Sequence, residues 1–246
     1  MILTVIGSQG AYPSADNPSS GYLLQHGGFS LMLDFGSGVL FRLHEVIDVN
    51  SLDAVFLTHY HPDHIADVGC LQHAVKVQTD IGNLNGFLPI YASSGSDSFD
   101  KLNYHSYTKA VSVIPGETTD IGPFKCSFLE NEHPGGGLSI RLSVGDCSLV
   151  YTGDTGWSEA LVAFAGGCDL LLCESSLFNR FYGMVDGHLT AGEAGKLAKL
   201  CGAGELVLCH FPHYGIREEL KLEAEVAFNR EASLALPGSI FKLMEN

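Results

Sequence analysis

Thr58-His59-Tyr60-His61-Pro62-Asp63-His64 is the stretch on which the reading of this chain turns. Three imidazoles and one carboxylate fall within six residues, directly after residues 53–58, which read as a β-strand. Imidazole and carboxylate together suit zinc and related borderline cations. On a loop, His59 and His61 can point the same way, two residues apart. Pro62 stiffens the turn, and Asp63 and His64 then face a second point. One short loop cannot close two metal sites, so further ligands have to arrive from elsewhere in the chain.

Later strand ends supply them. His133 follows the predicted strand 124–130 and precedes Pro134-Gly135-Gly136-Gly137. Asp154 follows strand 148–151, within Tyr151-Thr152-Gly153-Asp154-Thr155, and His210 follows strand 206–209. A single histidine of this kind is ordinarily a surface or core residue. A set of such groups, each just past an apolar strand, marks the edge where α/β sites are built.

Working outward, short apolar runs alternate with turns. Residues 2–6, 22–25 and 30–35 read as strands, the last two joined by the hairpin signal His26-Gly27-Gly28. Residues 39–49 read as a helix with Leu40, Leu43, Val46 and Ile47 on one face. Residues 72–86 are ambiguous, 88–92 a strand and 98–107 a helix. Strands follow at 124–130, 138–144 and 148–151, a short helix at 159–164 and an apolar strand at 170–173. The last third alternates: helix 191–201, strand 206–209, amphipathic helix 216–229 and strand 239–243. This pattern predicts sheets covered by helices in one α/β domain spanning residues 1–246.

Composition narrows the classes. A chain of 246 residues with 46% hydrophobic and 17% charged residues is not disordered. A net charge of −15 argues against a general nucleic-acid coat protein, though bound cations can still reverse the field at one site. Seven cysteines without a CxxC pair make neither a disulfide framework nor a Cys₄ zinc site. They are expected to be small buried hydrophobes in a reducing compartment. No apolar run approaches the roughly 18 residues of a membrane span. The start, Met1-Ile2-Leu3-Thr4-Val5-Ile6-Gly7, has no basic leader, so the cytoplasm is the expected location.

The His-x-His-x-Asp-His motif at 59–64, with a later His, Asp and His, resembles the signature of the metallo-β-lactamase superfamily. The resemblance covers nearly the whole chain. It implies a four-layer αββα sandwich with the site at one edge of the two sheets. It further implies that His59, His61 and His133 bind one divalent metal, that Asp63, His64 and His210 bind a second, and that Asp154 bridges them. Zinc is the expected metal, with manganese or iron as alternatives. His61, where a Glu would stand in a flavo-diiron protein, points to a zinc hydrolase. Asp154, where a Cys would stand, points away from a true β-lactamase.

Four further segments resemble ribonuclease Z and its relatives. They are Gly7-Ser8-Gln9-Gly10-Ala11-Tyr12-Pro13 with Asn17-Pro18-Ser19-Ser20, Leu33-Asp34-Phe35-Gly36-Ser37-Gly38, Leu170-Leu171-Leu172-Cys173-Glu174-Ser175-Ser176, and Gly187-His188-Leu189-Thr190-Ala191-Gly192-Glu193-Ala194. Asp34 is expected to support a ligand. Glu174 ends a buried strand, so it needs a partner or solvent. Thr190 and Glu193 form a capping-box pattern that opens helix 191–201. The resemblance implies His188 as proton donor or oxyanion stabiliser, Glu174 as its orienter, and Asp63 as holding the nucleophile as well as a metal. The nucleophile would be a hydroxide shared by two metals.

One departure matters. Ribonuclease Z carries a long basic arm that grips tRNA, and no such insertion is visible. Between Glu174 and His188, Arg180 is the only basic residue. A small phosphodiester, a cyclic phosphate or a short nucleotide therefore fits better than folded tRNA. Phe178, Phe181, Tyr182 and Met184 are candidates to wall the pocket, and His213 and Tyr214 are expected near the metals. The same dinuclear site could also hydrolyse a thioester or lactone, and a non-catalytic metal-binding protein is the remaining alternative. No membrane partner is expected, and a homodimer is common in the family.

Overall fold

β2 (Gly21–His26) pairs antiparallel with β1 (Ile2–Gly7) on one side and with β3 (Phe29–Leu33) on the other. Gly27 and Gly28, with φ of 60° and 88°, supply the left-handed pair that a two-residue hairpin of this twist requires. From β3 the sheet continues in parallel through β4 (Ala54–Phe56), β5 (Leu88–Ser93) and β6 (Thr108–Val113). Parallel neighbours need crossovers. These carry α1 (Val39–Leu43), then α2 (Pro62–Ile65) and α3 (Val68–Asp80), then α4 (Asp97–Asp100).

A second sheet begins as a meander of β7 (Thr118–Ile121), β8 (Phe124–Glu130), β9 (Leu138–Val144) and β10 (Cys147–Tyr151). It turns parallel through β11 (Leu170–Glu174), β12 (Glu205–Cys209) and β13 (Ser233–Leu234), with α5 (Glu159–Phe164), α6 (Ala191–Cys201) and α7 (Arg217–Phe228) in the crossovers. β14 (Ile240–Lys242) returns to lie beside β1, so each sheet has seven strands. The computed structural model describes residues 1–243. They fall into two units, one of Ile2–Ile114 with Leu236–Phe241 and one built mainly of Pro115–Ala235.

Each unit has its own core. In the first, Leu23, Met32, Val55 and Ile90 of the sheet pack with Val39 and Leu43 of α1 and Leu71 and Val75 of α3. In the second, Val150, Leu171, Leu206 and Leu208 pack with Leu161 of α5, Leu197 of α6 and Phe228 of α7. α6 and α7 approach to backbone contact, since a Cβ on Gly195 would sit 2.1 Å from the carbonyl oxygen of Ala224. The capping box at Thr190 and Glu193 forms as expected, and Gly202 (φ 70°) ends α6.

Several expectations are corrected. The helix expected over 39–49 stops at Leu43, because Asp48 accepts from the Asn50 amide and starts a separate turn at Val49–Ser51. The helix expected over 98–107 is only α4. His105 takes φ of 51°, which no helix accommodates, and Thr108 is already pairing with Leu88. The ambiguous 72–86 stretch divides into the end of α3 and a turn through Gly82 and Gly86, both at positive φ. Cys70 is exposed on α3, unlike the other six cysteines.

β10, β11 and β12 run parallel, with Tyr151 level with Leu172 and Glu174 level with Cys209. The chain leaves all three at one end of the sheet, where open α/β sheets bind ligands. Asp154, Glu174 and His210 stand there.

Candidate metal centre

The first unit builds its part around Asp34. The carboxylate is fully buried and its backbone sits at φ 59°, a left-handed conformation that Asp tolerates better than most residues. It accepts from the Thr58 amide at 2.7 Å, from the Thr58 hydroxyl at 2.9 Å, and from Nδ1 of His64 at 2.7 Å. That bond fixes the His64 tautomer and leaves Nε2 as the nitrogen that could face a metal, 3.6 Å from Oδ2 of Asp63. Asp34 therefore has the supporting role expected of it.

Asp63 and His64 do not lie on an open turn. They belong to α2, which Pro62 opens at its first position. The Ala11 amide donates to Oδ2 of Asp63 at 2.9 Å, tying the opening glycine loop to this carboxylate. Nε2 of His59 and Nδ1 of His61 approach to 3.0 Å, so two potential ligand nitrogens converge on one point. The Thr58 hydroxyl lies 3.0 Å from Nδ1 of His59 and so orients a second imidazole.

The second unit holds the other candidates. Nδ1 of His133 donates to the Gly187 carbonyl at 2.8 Å. A carbonyl only accepts, so Nδ1 carries the proton and Nε2 offers its lone pair. Asp154 offers an oxygen within 4.8 Å of a ring nitrogen of His133. Its Oδ2 is also 3.3 Å from Nε2 of His210. One carboxylate thus lies within reach of a metal shared with either imidazole. Asn131 pins the Asp154 loop, donating to the carbonyls of Thr152 and Asp154 at 2.8 Å each.

Glu174 is buried and serves as an acceptor hub. It takes the Thr155 amide at 2.7 Å, the Leu189 amide at 3.2 Å, the Ser176 hydroxyl, and Nδ1 of His188 at 3.1 Å. The strand-end glutamate that had to find a partner has found four. Ser176 also lies 2.8 Å from Nδ1 of His210. Since its hydroxyl proton points to Glu174, its oxygen accepts from His210. One carboxylate therefore orients two histidines, His188 directly and His210 through Ser176. The sequence assigned Ser176 no role; its only signal was its place two residues after the buried Glu174. His210 itself has φ of 56°, a strained position of the sort found at functional sites.

His133 and His188 line a cleft of about 560 Å³ together with Trp157, Tyr182 and Thr190. Their ring centroids are 5.0 Å apart. Tyr182 is thus a wall residue as expected, but Phe178 is not. It is fully buried in the core, where Tyr214 packs against it with ring centroids 5.8 Å apart. Met184 is exposed on the loop. In each unit the donors are imidazole nitrogens and carboxylate oxygens with their orientations fixed by partners, a set that fits zinc, manganese or iron. Among the described residues, no helix is long and apolar enough to cross a membrane.

Comparison with known proteins agrees. The model of the beta-lactamase superfamily domain matches residues 32–211, and the chain belongs to the metallo-β-lactamase superfamily. It is 40% identical over 243 residues to the probable metallo-hydrolase YhfI of Bacillus subtilis (strain 168), across 98% of this chain and 100% of that one. The crystal structure of YhfI, a metallo-β-lactamase fold protein, superposes with a TM-score of 0.95 at 39% identity over 98% of each chain. Two more distant structures share the fold. Human tRNase Z, short form, has a TM-score of 0.79 at 20% identity over 100% of each chain. A diphosphatase of the PhnP family has 0.76 at 18% identity over 99% of this chain and 98% of that one. The expected α/β metallo-β-lactamase fold is therefore this chain's own, a metallo-hydrolase is the supported class, and the chain is similar to ribonuclease Z proteins as expected.

Proposed function

We propose that this protein is a phosphodiesterase acting on small phosphodiesters or cyclic phosphates, with two divalent ions as cofactors, zinc foremost. His188 carries the proposal: Glu174 holds its Nδ1, and it lines the same cleft as His133, a candidate ligand. The ligand assignment follows the family pattern, with His59, His61 and His133 on one ion, Asp63, His64 and His210 on the other, and Asp154 shared. The place of Asp154 in both candidate clusters, one with His133 and one with His210, supports the shared role. When bound, such ions lower the pKa of water to about 7 and offset phosphoryl charge.

The chain's own residues do the rest. With Nδ1 directed at Glu174, His188 presents Nε2 to the cleft, where it donates to a phosphoryl oxygen or to the leaving alkoxide. Glu174 keeps that ring in one orientation. The Ala11 amide directs Asp63, so that its second oxygen can hold both ion and nucleophile. Between Glu174 and His188 the chain carries a single cation, Arg180, whose guanidinium lies 4.4 Å from the centroid of the Phe178 ring. This supports a small substrate rather than a folded RNA.

The test is hydrolysis of bis-p-nitrophenyl phosphate by zinc- or manganese-loaded protein, beside His188→Ala. Turnover should fall about 10²- to 10⁴-fold in the variant with the metal content unchanged. Wild-type protein with two ions bound and no turnover would overturn the reading and favour thioester or lactone hydrolysis.

A further inference from the structure

The cleft that holds His133 and His188 does not end at Thr190. It continues into an outer cleft of about 800 Å³, and both are lined by Trp157, Tyr182, Thr190 and Glu193. Each volume lies in the range of ordinary small-molecule sites. The outer one adds Lys196 and Lys199, one helical turn apart on α6 and both exposed. In a chain with 13 basic and 28 acidic residues, the lining of this cleft carries two ammonium groups against the one carboxylate of Glu193.

Neither lysine forms an ion pair among the described residues. Lys196 instead rests its ammonium 4.3 Å from the ring centroid of Trp157. Glu193, the carboxylate common to both clefts, is engaged elsewhere. It accepts from the Thr190 amide and hydroxyl, each at 2.9 Å. The Trp157 indole donates to Glu159 at 3.2 Å, which fixes its plane. Beside it Tyr182 is 70% exposed, a large aromatic surface at a polar rim.

We propose that the outer cleft is an anion subsite with an aromatic wall, taking the base and terminal phosphate of nucleotide substrates whose scissile phosphodiester lies at His188. The proposal rests on the phosphodiesterase reading for the inner cleft. Tyr182 offers an exposed face on which any base can stack, beside the Trp157–Lys196 pair, and Lys196 and Lys199 meet a phosphate beyond it. Selection would therefore follow the terminal phosphate more than the identity of the base.

Trp157 is the only tryptophan in the chain, so its fluorescence reports this wall directly. Adenosine 5′-monophosphate, adenosine and inorganic phosphate are titrated into the full-length protein and into the K196A/K199A double variant. The monophosphate should quench saturably and bind more tightly than adenosine. The double variant should bind it about five- to tenfold more weakly and leave adenosine unchanged. Absence of a saturable quench, equal affinity for monophosphate and adenosine, or an unchanged double variant overturns the proposal. Turnover of bis-p-nitrophenyl phosphate is followed in the wild-type protein alongside these titrations. Lysine-dependent binding without any diester turnover would discard the phosphodiesterase reading and keep the subsite. Diester turnover with lysine-independent binding would do the opposite.

Discussion

Replacing Asp34 with Asn should loosen metal binding while the protein stays folded. Asn is nearly isosteric and tolerates the left-handed backbone at this position, so neither a cavity nor new strain follows. What changes is charge and acceptor capacity. The carboxylate accepts from the Thr58 amide, the Thr58 hydroxyl and Nδ1 of His64. An amide oxygen has two lone pairs for those three donors, and its NH₂ accepts none. A hydrogen bond to a charged group contributes about 1.5–3 kcal/mol and a neutral one about 0.5–1.5, so the hold on His64 weakens by about 1–1.5 kcal/mol. Losing such a partner of a ligand histidine lowers metal affinity about 10- to 100-fold. Competition with a chromophoric zinc chelator reads this, and thermal unfolding is followed with and without metal. The donor left unpaired should cost about 1–3 kcal/mol in the metal-free protein, and the loaded protein should lose more. An affinity within twofold of wild type, or the same loss of stability in both forms, would refute the assignment.

Ser176→Ala breaks the link from Glu174 to His210 but keeps the direct bond to His188. Metal affinity should fall about tenfold, and kcat at saturating metal should barely move, as chelator competition and metal-titrated turnover would register. Gly195→Ala puts a methyl group against the Ala224 carbonyl; overpacking of about 1–3 kcal/mol exceeds the roughly 1 kcal/mol gain in helix propensity. The urea midpoint should drop, and an unchanged midpoint would mean that α6 and α7 are not locked. Native alkylation followed by intact mass should add one label, on Cys70, and more than one adduct would contradict the burial of the other six. Burial pushes the Cys126 thiol up to about 12 from its ordinary 9, so its neutral form favours folding below pH 9. That contribution is lost as pH rises from 9 towards 12. Alkaline unfolding of Cys126→Ala should be correspondingly less steep.

Much of the site was legible because its ligand-type residues cluster in one short motif or follow apolar strands. Each strand that leads to a ligand or to Glu174 is apolar enough to be read without context. β6, β7 and β13 were not, because β6 and β7 carry Thr, Ser, Lys or Asp in place of an apolar run and β13 has only two residues. The truncated helices at 39–49 and 98–107 were misread for a related reason. Apolar spacing continues past the point where a competing cap at Asp48, or the left-handed His105, ends the helix. Phe178 looked like a pocket wall because neighbours in sequence were; only packing sent it into the core while Tyr182 faced the cleft.

Residue type and short spacings determined the donor chemistry, the strand ends that present it and the capping box that opens α6. These depend on a few neighbours along the chain. Tertiary structure decided which nitrogen of each histidine is available. That depends on partners such as Asp34 for His64 and Gly187 for His133, 30 and 54 residues away in sequence. It also decided that Ser176 couples Glu174 to His210, 34 residues on, and that Lys196 and Trp157 share a wall. A hydrogen bond or a stacked cation is satisfied at about 3–5 Å in space, whatever the distance along the chain.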